Sequence, residues 1–174
     1  MDTRIEVVSE TDLPHREAGT IAHWALKAFE EHGGFANCVW APADWRVLVY
    51  ADGQLVTFLK VTERVISVGD RQVKVGGMGD LITLPEWRGK GLASLAMQHL
   101  DEELLKHPDL EFGVLMCVPA LVPYYSRFGW QAVPEPIVYE QAWGKETSPE
   151  VTMVLPLRGQ PWPAGPIDIM GLPW

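Results

Sequence analysis

The sequence is poor in cysteine and in positive charge, and each shortage excludes a class of protein. Its 174 residues contain only 2 cysteines, Cys38 and Cys117, both among apolar neighbours. This setting favours buried free thiols over a disulfide, and a zinc site would lack its other ligands, so we expect no metal. Acidic residues number 23 against 14 basic ones. We expect no nucleic-acid partner, because its phosphates would be repelled.

Long apolar runs are also missing. No run approaches the ~18 residues that a membrane-spanning helix requires, so we expect no membrane partner. No apolar segment follows the N-terminal Met1-Asp2-Thr3-Arg4, as a secretory signal would demand. We therefore expect a cytoplasmic protein. The length predicts a single domain over residues 1–174, with a proline- and glycine-rich tail at 156–174.

The order of the apolar patterns predicts an α+β fold with a central, mostly antiparallel sheet. Tight turns are expected at Asp52-Gly53 and Gly69-Asp70. Glycines at 76, 77 and 79 indicate a bulge or a close backbone approach. Prolines in the tail argue against a long helix or a central strand there. The predicted strands are 5–9, 45–50, 55–65, 72–84, 112–118, 137–143 and 151–155, and the predicted helices are 17–31, with an end at Gly33-Gly34, 91–105 and 121–128.

A glycine-punctuated basic loop joins the strand at 72–84 to the second predicted helix. The first turn of a helix carries unpaired N–H groups and partial positive charge, so it can hold a phosphate. Gly89 and Gly91 leave the backbone open, while Arg88 and Lys90 add charge. A Walker loop would need Ser or Thr where Leu92 stands, and a dinucleotide fingerprint would need a third glycine at position 94. A plain strand–helix turn is the other interpretation.

Two segments resemble the GNAT superfamily of N-acyltransferases. Arg88-x-x-Gly91-x-Ala93, after a strand that ends at Pro85, resembles its acyl-CoA pyrophosphate loop. The segment 125–130, Tyr-x-x-x-Gly-Trp, resembles a second motif of that family, and the likeness covers about residues 45 to 155. It implies a GNAT-like mixed sheet, flanked by helices and splayed at the acyl-CoA site, with acetyl-CoA as cosubstrate. The residues that the resemblance places against acetyl-CoA are Leu81, Ile82 and Thr83 at the pantetheine arm and Arg88, Gly89, Lys90, Gly91, Leu92, Ala93 and Ser94 at the pyrophosphate.

Acetyl transfer to an amine needs a proton acceptor for the amine and an acid for the departing thiolate. Tyr125 matches the family tyrosine near the CoA sulfur and is the predicted acid; a core tyrosine is the alternative. Asp80, just before the acyl-contacting strand segment, is the predicted base, directly or through water, with a turn-capping aspartate as the alternative. Many relatives carry an asparagine where Val118 stands, so that pantetheine contact is missing or made otherwise.

The tail is similar to that of the aminoglycoside 2'-N-acetyltransferases, which end in a tryptophan whose carboxylate enters the antibiotic site. The likeness includes the 154–156 segment, Val-Leu-Pro, and the terminal Gly-Leu-Pro-Trp. It implies a catalytic role for Trp174. An acid of those enzymes falls at Gly79, beside Asp80, which departs from their pattern. A tail that merely packs on the sheet is the alternative.

The sequence thus predicts an acetyl-CoA-dependent N-acetyltransferase that acts on a primary amine of a small cationic molecule, by direct attack in a ternary complex. An aminoglycoside-like acceptor is one version of this hypothesis. The alternatives are a non-catalytic CoA-binding sensor and an acyltransferase for a protein N-terminus or another metabolite amine. Whether the chain works as a homodimer stays open.

Overall fold

The architecture, taken from a computed structural model, is a ten-stranded, mostly antiparallel sheet with helices packed against it. The structure describes residues 1–32 and 37–174. The predicted helix end at Gly33-Gly34 lies outside the described residues. The strands are β1 (Thr3–Ser9), β2 (Trp45–Ala51), β3 (Gln54–Val68), β4 (Arg71–Thr83), β5 (Phe112–Cys117), β6 (Gln131–Val133), β7 (Ile137–Gln141), β8 (Gly144–Thr147), β9 (Val151–Pro156) and β10 (Ile167–Asp168), and the α-helices are α1 (His15–His32), α2 (Leu92–Lys106) and α3 (Val122–Ser126).

The strand order is β6-β9-β5-β4-β3-β10-β7-β8, with β2 and then β1 branching from β3. Among the strands of the described residues, only the β4–β5 and β10–β7 pairs are parallel. The branch exists because β3 is 15 residues long, so its first half pairs with β2 and its last two residues pair with β10. The predicted α+β class is confirmed, and so are the two-residue turns at Asp52-Gly53 and Gly69-Asp70.

Four short strands, β6, β7, β8 and β10, depart from the sequence prediction, which places no strand at β6. The predicted strand 137–143 is in fact the start of the β7–β8 hairpin, which turns between Gln141 and Gly144. The prediction that the tail holds no central strand was wrong, since β10 lies between β3 and β7. Pro166 precedes β10 directly, so its missing N–H falls outside the ladder.

The helix predicted at 121–128 is shorter, because a 3₁₀ turn over Pro119–Leu121 comes first.

One face of α2 packs on the sheet and forms much of the core. Leu92, Ala96, Leu100 and Leu104 are buried at four-residue spacing, as an amphipathic helix requires. Fully burying a leucine side chain contributes about 1.5–3 kcal/mol. This packing fixes the start of α2, and with it the basic loop, against the end of β4.

The sheet opens between β4 and β5. Their parallel register runs from Val75 opposite Phe112 to Met78 opposite Leu115 and then stops. On the other side of β4, the register with β3 shifts, so that Asp80 and Leu81 oppose a single residue of β3. A bulge bends the strand that carries it, and the pairing with β5 ends just before this one. The predicted glycine-rich bulge is confirmed, and a cleft forms in the gap.

A carboxyl group within the α2 packing predicts a pH-dependent stability. Burial raises the pKa of Asp101 from 3.8 to about 7, and the indole of Trp130 lowers it to a smaller extent. Because the folded pKa exceeds the unfolded one, the fold favours the neutral acid. This contribution is complete below about pH 4 and is lost as the pH rises through about 7.

We therefore expect Asp101→Asn to gain stability relative to the parent protein between pH 4 and 7, measured by urea unfolding. The exposed neighbour Glu102 supplies the control Glu102→Gln, which should leave the parent profile unchanged. If the free energy of unfolding varies with pH in the same way for Asp101→Asn and the parent protein, the raised pKa of Asp101 is contradicted.

Candidate active site

A cleft of about 190 Å³ lies where β4 and β5 separate. All three predicted catalytic residues, Tyr125, Asp80 and Trp174, line it, although they come from three distant parts of the chain. Leu81 and Ile82, predicted at the pantetheine arm, line the same cleft. The structure therefore brings these five residues together, while their chemical roles stay predictions.

Asp80 occupies the bulge of β4 and forms an ion pair with Lys60 of β3. Its φ of 54° lies in the left-handed region, where Asp is among the better tolerated side chains. Asp80 Oδ2 is 3.5 Å from Lys60 Nζ, and the two side chains are only 10% and 5% exposed. Lys60 also donates a hydrogen bond of 3.2 Å to the carbonyl of Ala41. A buried lysine is tolerated because it has these partners.

Tyr125 is buried on α3 and presents a protonated phenol to the cleft. Burial raises the pKa of Tyr125 well above its usual range, and the neighbouring Cys117 and Tyr124 raise it further. Its ring makes an edge-to-face contact with Tyr124, with centroids 5.1 Å apart. A phenol in this state holds its proton at neutral pH and can act as a donor.

Sequence reasoning missed three residues of this region: Lys60, Cys117 and Glu150. Burial and the nearby Glu150 raise the pKa of Cys117 to about 11, so its thiol is neutral and a poor nucleophile. Glu150 lines the cleft just before β9, where Val151 pairs with Cys117. For Lys60 the sequence does offer an indication, because a lysine inside the apolar run of β3 is unusual and points to a specific partner. Glu150 lies close to, but out of register with, the acid that precedes the Val-Leu-Pro segment of the aminoglycoside 2'-N-acetyltransferases. Its place at the cleft depends on the pairing of β5 with β9.

The tail forms one wall of the cleft, and two glycines of β4 make room for it. A Cβ on Gly77 would lie 2.1–2.5 Å from atoms of the Trp174 indole. A Cβ on Gly79 would lie 2.7 Å from the carboxyl carbon of Trp174 and 3.1 Å from Lys60 Cε. The close approach predicted for these glycines is confirmed.

Arg64 of β3 holds the tail in this position. Its Nη1 donates hydrogen bonds of 2.7 Å to the carbonyl of Leu172 and 3.3 Å to that of Ile169. The guanidinium carbon is also 5.8 Å from the centroid of the Trp174 ring. The carbonyl of Pro173 accepts a hydrogen bond of 2.7 Å from the backbone N–H of Ala41. Hydrogen bonds from Arg64 and Ala41 thus anchor the residues of the tail that precede Trp174.

The predicted pyrophosphate loop runs from Arg88 into the first turn of α2. Gly89 and Gly91 have φ values of 75° and 79°, which glycine adopts without strain. Gly91 is the N-cap of α2, no side chain caps it, and the first turn holds no acidic residue. Arg88 Nε donates to the carbonyl of Thr83 at 3.1 Å, and Lys90 Nζ lies 4.3 Å from the Trp87 ring centroid. The free N–H groups of this turn suit an anion.

Residues 28–133 match the family model described as an acetyltransferase (GNAT) domain. Since this match covers more than half of the chain, the protein belongs to the GNAT acetyltransferase family. The predicted superfamily and the predicted class of N-acetyltransferase are confirmed at this level. No curated protein matches the sequence. The family match does not reach the narrower aminoglycoside group.

Solved structures show the same fold at low sequence identity. An acyl-CoA N-acyltransferase from Pseudomonas aeruginosa is 17% identical, with a TM-score of 0.64, over 88% of this chain and 99% of that one. A GNAT family N-acetyltransferase (YhbS) from Escherichia coli, in complex with CoA, is 18% identical, with a TM-score of 0.59, over 96% and 89%.

A conserved protein of unknown function from Enterococcus faecalis V583 is 17% identical, with a TM-score of 0.57, over 75% of this chain. The chain spans 33% of that protein's length.

In the described residues 1–32 and 37–174, no helix is long and apolar enough to cross a membrane. In the same part of the chain, no group of three or more His, Cys, Asp or Glu side chains could hold a metal ion.

Proposed function

We propose that this protein transfers an acetyl group from acetyl-CoA to the primary amine of a small cationic molecule. The observation that carries the proposal is the meeting of Tyr125, Asp80 and Trp174 in one cleft at the splayed end of β4. Acidic groups at such a cleft attract an ammonium ion and can accept its proton. An aminoglycoside-like acceptor is the narrower version that the tail suggested.

The cleft supports direct transfer without an acyl-enzyme. In this step the amine nitrogen bonds to the thioester carbonyl carbon and the carbon–sulfur bond breaks. Before this step the ammonium group loses one proton to Asp80 or Glu150, directly or through water. Tyr125 then gives its phenolic proton to the departing thiolate, and its oxygen takes back the second proton, which the nitrogen loses as the amide forms. Cys117 is the nucleophile that a covalent route would use, and its raised pKa of about 11 keeps it protonated.

Acetyl-CoA would lie along the end of β4 and on the first turn of α2. The unpaired edge of β4 at Leu81, Ile82 and Thr83 suits the amides of the pantetheine arm, because its pairing with β5 has already ended. The turn from Arg88 to Ser94 suits the pyrophosphate. Trp174, whose carboxyl carbon lies beside Gly79, would direct its carboxylate toward the ammonium group of the acceptor.

The test of the CoA site is Gly91→Val. A side chain at the φ of 79° found for Gly91 costs about 1–2 kcal/mol, so the loop should rearrange and misdirect its N–H groups. We expect affinity for acetyl-CoA to fall about tenfold or more in calorimetry.

Gly53→Val is the matched control. Gly53 also has a positive φ, 80°, with open space at its Cβ, but it lies in the β2–β3 turn. Both variants should lose similar stability, and only Gly91→Val should lose affinity. If Gly91→Val and Gly53→Val bind acetyl-CoA with equal affinity, the assignment of the pyrophosphate to this loop is contradicted. Normal binding without CoA release for any amine would favour the sensor alternative.

A further inference from the structure

We infer that Gln141 is a positioning residue for the acceptor, because its side chain fixes the backbone that carries Trp40 into the cleft. This inference rests on the proposed function and adds a residue to its site. Gln141 is the last residue of β7 and does not itself line the cleft. It is only 7% exposed, and a buried amide needs hydrogen-bond partners.

The Gln141 amide pairs with both backbone groups of Val39. The N–H of Val39 donates to Gln141 Oε1 at 2.8 Å, and Gln141 Nε2 donates to the carbonyl of Val39 at 3.0 Å. Nε2 also donates to the carbonyl of Glu140 at 2.8 Å. Val39 itself lies outside the helices and strands. The Gln141 side chain therefore gives Val39 the two hydrogen bonds that a neighbouring strand gives a residue in a sheet.

The backbone on the other side of Trp40 is held as well. The N–H of Ala41 donates to the carbonyl of Pro173 at 2.7 Å, and the carbonyl of Ala41 accepts from Lys60 Nζ at 3.2 Å. Trp40 thus lies between two residues whose backbone groups are both hydrogen-bonded. Gln141 supplies the first of these attachments, so its loss should let Trp40 move.

Trp40 lies on the side of the cleft that an amine must reach. It lines the cleft together with Asp80 and Trp174. Lys60 Nζ, which is 3.5 Å from Asp80 Oδ2, is 5.7 Å from the centroid of the Trp40 ring. An amine held at Asp80 therefore comes close to this ring. Because such a contact binds the acceptor without taking part in the chemistry, its loss should change KM more than kcat.

Gln141→Met tests this inference, because methionine keeps the length of the side chain and removes the amide. The probes are butylamine, 1,4-diaminobutane and kanamycin, and the rate of CoA release is measured for each. For an amine that is acetylated, we expect KM to rise about tenfold, since a misplacement of about 1 Å can cost up to about 10²-fold. The kcat and the affinity for acetyl-CoA should stay close to the parent values. An unchanged KM would overturn the inference.

Gln160→Met is the matched control. Gln160 Nε2 also donates to a backbone carbonyl, that of Glu111 at 3.2 Å, but neither residue lines the cleft. This variant should lose a comparable hydrogen bond and keep the parent KM. Gln141→Asn replaces Gln141→Met if the latter does not fold. It keeps an amide but is one methylene shorter, so it should also raise KM, and a parent KM in Gln141→Asn would contradict the positioning role.

A double-mutant cycle with Trp40→Ala decides whether Gln141 acts through Trp40. Trp40→Ala alone should raise KM for the amine, and adding Gln141→Met to it should then have little further effect. Additive losses would mean that Gln141 affects the cleft by another route, which overturns the inference.

Failure of the proposed function has a different signature, namely that none of the three amines releases CoA with the parent protein. The position of Trp40 is then read directly by fluorine NMR of protein labelled with fluorotryptophan. The signal of Trp40 is assigned from Trp40→Phe. Gln141→Met should shift or broaden that signal, and Gln160→Met should leave it in place. An unchanged Trp40 signal in Gln141→Met overturns the inference.

Discussion

Tyr125→Phe should lower kcat by about 10²–10⁴-fold, the usual contribution of general acid catalysis. The substitution removes only the phenolic oxygen, so the buried ring keeps its packing against Tyr124. Affinity for acetyl-CoA should stay close to that of the parent protein. Because the pKa of Tyr125 is raised by burial, its donor form persists across the neutral range, and its ionisation should not limit kcat there.

Tyr124→Phe is the matched control for this variant. Tyr124 precedes Tyr125 on α3 and does not line the cleft. The rate is best measured in single turnovers with acetyl-CoA bound, so that product release does not mask the chemical step. If Tyr125→Phe matches Tyr124→Phe in such an experiment, Tyr125 is a core residue and the proton for the thiolate comes from elsewhere.

The sequence predicted those parts of the structure whose conformation depends on residues close together in the chain. The loop from Arg88 to Ser94 depends on glycines, a proline and an apolar helix within a few residues of one another, so its pattern is visible in the sequence. The same holds for the Asp52-Gly53 turn, whose residues have the positive φ values that this turn demands. These features could be predicted because short-range backbone preferences determine them.

Long-range pairing created what the sequence did not predict. Lys60 became part of the site through the register of β3 with β4, which places it opposite Gly79. Glu150 reached the cleft through the pairing of β9 with β5. The two-residue β10 is too short to have a periodic pattern of its own, and its place between β3 and β7 depends on where the tail folds back.

The packing of the Trp174 indole against Gly77 of β4 predicts the second large effect on activity, that of Gly77→Ala. A Cβ at this position would lie 2.1–2.5 Å from the indole, so the tail must shift or leave. Such overpacking costs about 1–3 kcal/mol of stability. Displacing a wall of the site by about 1 Å can lower the rate by about 10²-fold. We therefore expect kcat/KM for the amine to fall by about 10–100-fold, with affinity for acetyl-CoA unchanged.

Gly19→Ala is the control, since Gly19 lies in α1 and a Cβ there meets nothing within 4 Å. It should preserve activity and add up to about 1 kcal/mol of stability, because alanine is the better helix former. Adding one glycine after Trp174 examines the carboxylate separately from the indole. That change moves the charge and leaves the ring in place, so a raised KM for the amine would support a role for the carboxylate.

A double-mutant cycle decides whether Gly77→Ala acts through the indole. Trp174→Ala vacates the space that the new methyl group needs, so adding Gly77→Ala to it should cost little. The two single variants should each lower kcat/KM, and the pair should be no worse than Trp174→Ala alone. Additive losses would mean that Gly77→Ala distorts β4 itself. In that case Gly77 serves the strand and not the packing of the indole. The tail is not a functional wall of the cleft if Trp174→Ala alone keeps the kcat/KM of the parent protein.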